Sequence, residues 1–149
     1  MKIISHRGNL NGRDEKSENS PQAIDNAIQR GYDVEVDVWY KNNSWFLGHD
    51  EPTRPIAFEW LKERESRLWV HCKNIEAVEQ MQEKGSSVHY FWHEEDMITL
   101  TSRGVIWAYP GKQPISRSIA VMPEIYNDDV RCAIGVCSDY IESYKHETS

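Results

Sequence analysis

At 149 residues the chain has the length of about one domain, and 39% hydrophobic residues with six Trp and seven Tyr supply a core, which excludes disorder as the main state. Seventeen Lys and Arg against 24 Asp and Glu leave a net charge of -7, which argues against nucleic acid or an anionic membrane surface as partner but leaves room for one phosphate in a local pocket. No stretch approaches the ~20 apolar residues of a membrane span, the apolar run after Lys2 is too short for a signal peptide, and Cys72, Cys132 and Cys137 form no CxxC or paired framework. The expectation is a cytoplasmic protein, residues 1–149 forming a single domain, with three reduced cysteines packed as small hydrophobes.

Lys2 to Ser5 predicts a short apolar strand ending at His6-Arg7-Gly8, followed by a polar loop to Asn19. "SPQAIDNAIQRG" carries both helix signals: Ser20 as N-cap, Pro21 at the first helical position, Ala23, Ile24, Ala27 and Ile28 at helical spacing, and Gly31 as terminator. "YDVEVDVWY" alternates with period two, Val34, Val36 and Val38 on one face, Glu35 and Asp37 on the other. After a turn at Asn42-Asn43, "SWFLGHD" ends in His49. Alternation follows: "AFEWLKERES" predicts a helix, "RLWVHCKN" a strand, "IEAVEQMQEKG" a helix closed by Gly85, "SVHYFWHE" a strand, "EDMITLTSRG" a helix closed by Gly104, and "VIWAYPG" a strand. "SIAVMPE" and "AIGVCSDYI" predict two more strands joined by an acidic turn near Asn127 to Val130.

Strands alternating with ten-residue helices predict a parallel sheet with right-handed crossovers. A complete (β/α)8 barrel takes ~200 residues or more, so the expected fold is α/β, a shortened TIM-barrel-like (β/α) barrel of roughly seven strands. It is either closed or incomplete, with an open doubly wound sheet as the alternative. An incomplete barrel would leave an edge that a homodimer could cover.

Both faces of a covered parallel strand are normally apolar, so Glu35 and Asp37 on one face of "VEVDV" require a reason. Two buried like charges cost several kcal/mol each unless something positive balances them. A hard divalent cation such as Mg²⁺ or Ca²⁺ would do so through carboxylate oxygens, although spacing alone fits an edge strand whose acids face water. His6 and His49 each follow a predicted strand, where parallel-sheet enzymes collect catalytic groups, and a histidine pair suits proton transfer. Arg7 offers planar donors to a phosphate.

"HRG", then "ENSPQAIDNAIQRGYDVEVDVW", then "LGHD", in this order and spacing, resembles the N-terminal half of the glycerophosphodiester phosphodiesterase family. The resemblance implies a metal-dependent phosphoric diester hydrolase on a barrel, taking a small-molecule glycerophosphodiester to a phosphomonoester and an alcohol. It implies that Glu35 and Asp37 hold the cation and His6 and His49 form the acid/base pair. Arg7 and Lys73 would bind the phosphoryl group, and Glu18 and Asp50 would support the site. One departure stands out: the family has Glu-x-Lys on the next strand, and here "VHCKN" puts His71 in place of that Glu. As a ligand, His71 would shift preference towards Mn²⁺ or similar ions; a phosphate-ester-binding relative without turnover, or a lyase stopping at the cyclic phosphate, are the other readings. The second half is similar only loosely. Its "GVCSDYI" places Asp139 and Tyr140 near the site, and Trp107, Tyr109 and Glu124 fall near strand ends, whereas His89 and His93 are expected to be structural.

Overall fold

The computed structural model describes residues 1–84 and 87–148. Its strands are β1 (Lys2–His6), β2 (Asp33–Lys41), β3 (Ser44–Leu47), β4 (Arg54–Ile56), β5 (Leu68–Cys72), β6 (Tyr90–Trp92), β7 (Ile98–Leu100), β8 (Ile106–Ala108), β9 (Ser118–Val121) and β10 (Gly135–Ser138). The helices are α1 (Pro21–Gln29), α2 (Phe58–Glu63) and α3 (Ile75–Lys84), with 3₁₀ turns at Pro123–Ile125 and Ile141–Thr148. The predicted closure of the third helix at Gly85 lies outside the described residues.

Seven strands form a continuous parallel run in the order β6-β5-β2-β1-β10-β9-β8. The run is curled into a barrel-like sheet. Phe91 on β6 and Trp107 on β8 belong to its opposite ends, yet their ring centroids are 4.7 Å apart, which a flat sheet could not allow. Between those ends lies β7, laddered antiparallel to β8 and tied to β6 by Ser102 N–H donating to the Tyr90 carbonyl (2.7 Å) and Thr99 Oγ1 to the Trp92 carbonyl (3.1 Å). The β3-β4 hairpin continues antiparallel from the far part of β2.

Two expectations fail here. The stretch predicted as a helix closed by Gly104 contains β7 instead, because β-branched Ile98, Thr99 and Thr101 suit an extended backbone and their side chains can alternate across it. Strand β4 went unforeseen because its Arg-Pro-Ile is too short to show a period. Among the described residues, α-helices cover only the first half of the run, none joining β6 to β10, and none is long and apolar enough to cross a membrane.

The signals at α1 act as expected: Ser20 Oγ accepts from Ala23 N–H at 3.0 Å, Pro21 opens the helix, and Ile24 and Ala27 are buried. The core has two layers. Val34, Val36 and Val38 join Ile24, Leu61, Val70, Cys72 and Met81 between sheet and helices, while Ile4, Trp69, Phe91, Trp107, Ile119, Val121 and Cys137 fill the inside of the curl. Cys72 and Cys137 are buried as expected; Cys132 is exposed, since it lies in the turn before β10.

Candidate functional site

Period two along each strand determines what stands above the inner apolar layer. Two residues beyond Ile4 comes His6; beyond Trp69, His71; beyond Phe91, His93; beyond Trp107, Tyr109; beyond Cys137, Asp139. On β2 the same face carries Glu35, opposite Trp69 and His6, and Asp37, opposite His71. The inner face thus changes from apolar to ionisable at the carboxyl ends of the strands.

Glu35, Asp37 and His71 are all buried, and each offers a ligand atom within 4.8 Å of the others. His71 Nδ1 lies 3.2 Å from Asp37 Oδ1 and 3.9 Å from Glu35 Oε1. Among the described residues, Asp37 Oδ1 and Glu35 Oε2 are buried and meet no well-formed hydrogen-bond partner. Orphaned buried carboxylate oxygens facing an imidazole nitrogen are what a divalent cation would satisfy, so the donor set fits such an ion.

The electrostatics agree. Burial, then the neighbouring Asp37 charge, pushes the Glu35 carboxyl well above the usual range. Burial opposes ionisation of Asp37 as well, but His49, His71 and Arg7 outweigh it and hold that carboxyl well below its ordinary value. Burial lowers His71, keeping its imidazole neutral as a ligand must be, although Asp37 pulls the other way.

Arg7 sits between the carboxylates. Nη1 donates to Glu18 Oε2 at 3.0 Å and Nε lies 3.1 Å from Asp37 Oδ2; burial disfavours its charge, but Asp37, Glu35 and Glu18 outweigh that and raise its affinity for the proton. The turn that places it is tight. Arg7 adopts φ 62° and Gly8 φ 88°, and a Cβ on Gly8 would stand 3.0 Å from Ala23, so only glycine lets β1 turn against α1.

His49 is brought in by the turn after β3. Its Nδ1 is 3.4 Å from Asp37 Oδ2, and its Nε2 is 3.3 Å from Arg7 Nη2. Gly48 permits this: with φ 154°, a Cβ there would collide with the Glu51 carbonyl oxygen. His6 Nδ1 is 2.8 Å from Asp139 Oδ1, and its Nε2 is 3.5 Å from Glu35 Oε2.

A cavity of about 330 Å³ opens over these groups, lined by His6, Arg7, Glu35, Asp37, His49 and His71 on one side and by Trp107, Tyr109, Pro110, Val121 and Met122 on the other. A second, more polar hollow of about 530 Å³ meets it at His49 and is bordered by Arg13, Glu18, Asp50 and Arg54. Asp50 stands on that rim, its side chain 87% exposed and 3.6 Å from His49 Nε2. Lys73, one residue past β5, does not border the smaller cavity, though its charge favours ionisation of Glu35.

Two asparagines were not singled out as site residues. Asn19 clamps Asp37 at both ends, its Nδ2 donating to Asp37 Oδ2 (2.9 Å) and its Oδ1 accepting from Asp37 N–H (3.0 Å). Asn9 Nδ2 donates to Asp139 Oδ1 at 2.9 Å. The Asn of "EN" was the available signal for the first; the second carried none, because the contact spans 130 residues.

Of the remaining expected residues, Tyr109 and Trp107 both line the cavity, Trp107 while almost wholly buried. Tyr140 is half-exposed, packed on Gly12, and Glu124 accepts from Ser138 and Tyr144. His89 is structural, bonded to Thr101 Oγ1 (2.6 Å) and packed on Trp69. His93 stacks on His71 with ring centroids 4.5 Å apart, and among the described residues neither of its nitrogens has a hydrogen-bond partner; burial and the neighbouring His71 and Lys73 lower it to about 4. No family model matches the chain, and no curated protein matches it.

Proposed function

We propose that the protein is a metal-dependent phosphodiesterase, built on a shortened TIM-like barrel, that hydrolyses a glycerophosphodiester or similar small phosphodiester to a phosphomonoester and an alcohol. The observation that carries this reading is the buried Glu35, Asp37 and His71 set with two orphaned carboxylate oxygens, beside Arg7 and between two histidines. Glu35, Asp37 and His71 hold a divalent cation, Mg²⁺, Ca²⁺ or Mn²⁺, which when bound supplies positive charge to a phosphoryl oxygen.

Arg7, preorganised by Glu18 and Asp37, binds a phosphoryl oxygen and needs no rearrangement as charge develops there. His6 approaches the cavity from the end of β1 and His49 from the turn after β3, so one takes the proton of the attacking hydroxyl while the other protonates the leaving oxygen. Trp107, Tyr109 and Met122 exclude water from the opposite wall.

The test is an activity screen with glycerophosphocholine, glycerophosphoethanolamine and bis(p-nitrophenyl) phosphate under Mg²⁺, Ca²⁺, Mn²⁺ or EDTA. Turnover that needs the metal and is lost in Glu35→Ala/Asp37→Ala, His6→Ala and His49→Ala variants of intact fold supports the reading. Undiminished turnover in either histidine variant refutes it. Binding of a phosphate ester without product under every metal would leave a phosphate-ester-binding protein instead.

A further inference from the structure

His6 is held from behind. Asp139, the residue after β10, presents Oδ1 at 2.8 Å from His6 Nδ1, and the same oxygen accepts from Asn9 Nδ2 at 2.9 Å. Three further bonds fix this corner. Asp139 N–H points to Met122 Sδ (3.3 Å), the Asp139 carbonyl accepts from Gly12 N–H (2.9 Å), and Asn9 Oδ1 accepts from Asp14 N–H (3.1 Å). Asp139 is only 6% exposed, yet its carboxyl lies below the ordinary value: burial opposes ionisation, but His6, Asn9 and Arg7 together outweigh it.

An ionised carboxylate only accepts hydrogen bonds. Nδ1 of His6 is therefore the donor, and whenever the ring is neutral its lone pair is on Nε2, the nitrogen nearer Glu35 and the cavity.

We infer that Asp139 is the positioning residue of His6, holding its Nδ1–H so that Nε2 acts as the proton acceptor in the reaction. This rests on the phosphodiesterase reading for the reaction but not for the tautomer. In the step itself the O–H bond of the attacking hydroxyl breaks as an Nε2–H bond forms on His6, and the oxygen's electron pair forms the new O–P bond. The P–O bond to the leaving alcohol breaks, and that oxygen takes its proton from His49. Exchange with water then restores both rings. Asp139 stays ionised throughout, stabilising the imidazolium, while Asn9 keeps the carboxylate from rotating away.

The experiment has two arms. Long-range ¹H–¹⁵N NMR of the Mg²⁺-loaded protein without substrate, with His6 assigned by its loss in His6→Gln, reads the tautomer. We expect the Nδ1–H form in the parent and the Nε2–H form in Asp139→Asn. Steady-state kinetics on a diester that the parent turns over are expected to give kcat lowered by about 10²–10⁴-fold in Asp139→Asn with KM nearly unchanged. A parent spectrum dominated by the Nε2–H form overturns the inference without any variant, as does an Asp139→Asn protein with parental tautomer and kcat. A protein inactive on every diester that nonetheless shows the Nδ1–H form, switched by Asp139→Asn, upholds the positioning role and removes only the phosphodiesterase reading.

Discussion

Replacing Glu35 by Gln should stabilise the metal-free protein while removing its response to metal. Glu35 is 2% exposed, its Oε2 lacks a hydrogen-bond partner, and Asp37 on the same strand face carries the like charge. An unsatisfied buried polar group costs about 1–3 kcal/mol, and a new amide hydrogen bond from Gln to the Asp37 carboxylate would add roughly 1 kcal/mol. A net gain of about 2 kcal/mol corresponds to roughly 4–8 °C in Tm for a chain of this size. The pH dependence follows from the direction of the shift. A carboxyl raised in the folded state contributes fully below its unfolded value, ~4.3, and that contribution is lost as pH rises towards its folded value. The advantage of Glu35→Gln is therefore small near pH 4 and grows towards neutrality. Differential scanning calorimetry in EDTA from pH 4 to 8 measures it; repeated with Mg²⁺ or Mn²⁺, the parent should gain Tm as binding to the native state requires and the variant should not. A variant less stable than the parent at neutral pH in EDTA, or one that keeps the full metal-dependent gain, refutes the account of the site.

Asn19→Ala strips Asp37 of a side-chain donor and leaves its buried N–H unpaired, so chemical denaturation should show a loss of about 1–3 kcal/mol, with weaker metal binding by calorimetry. Gly8→Ala forces a Cβ to 3.0 Å from Ala23 at φ 88°; a loss of about 1–3 kcal/mol is expected, and an unchanged urea midpoint would contradict the placement of this turn. His71→Glu replaces an imidazole donor by a carboxylate, so competition titration should move the site's preference from Mn²⁺ towards Mg²⁺ and Ca²⁺. Leu61→Ala, at a fully buried position of α2, should cost about 2–5 kcal/mol in urea unfolding without altering the metal affinity of folded protein.

Local chemistry was enough to locate much of this protein. Period two in "VEVDV" separated the valines packed under the helices from the carboxylates inside the curl, and Ser20, Pro21 and Gly31 delimited α1, because caps and alternation act over a few residues. Strands alternating with helices anticipated the parallel run. The alternation of β2 put Glu35 and Asp37 in view as candidates, the predicted strand ends His6 and His49, and the resemblance to the phosphodiesterase family His71; the structure brings all five around one cavity. Where local signals conflicted, the reading failed: Glu95 to Gly104 had the length and spacing of a helix, but its β-branched residues find their partners in β8 and β6, elements that the segment alone does not contain.

Tertiary structure alone decided which lone pairs face each other. Asp139 meets His6 across 133 residues and Asn19 clamps Asp37 across 18, contacts made when β1 is bordered by β10 and β2 and the sheet curls. The environment of Glu35 and Asp37 is likewise a tertiary property. Two identical charges on one strand face acquire opposite shifts because Arg7, His49 and His71 converge on one of them, while burial and its neighbour's charge govern the other.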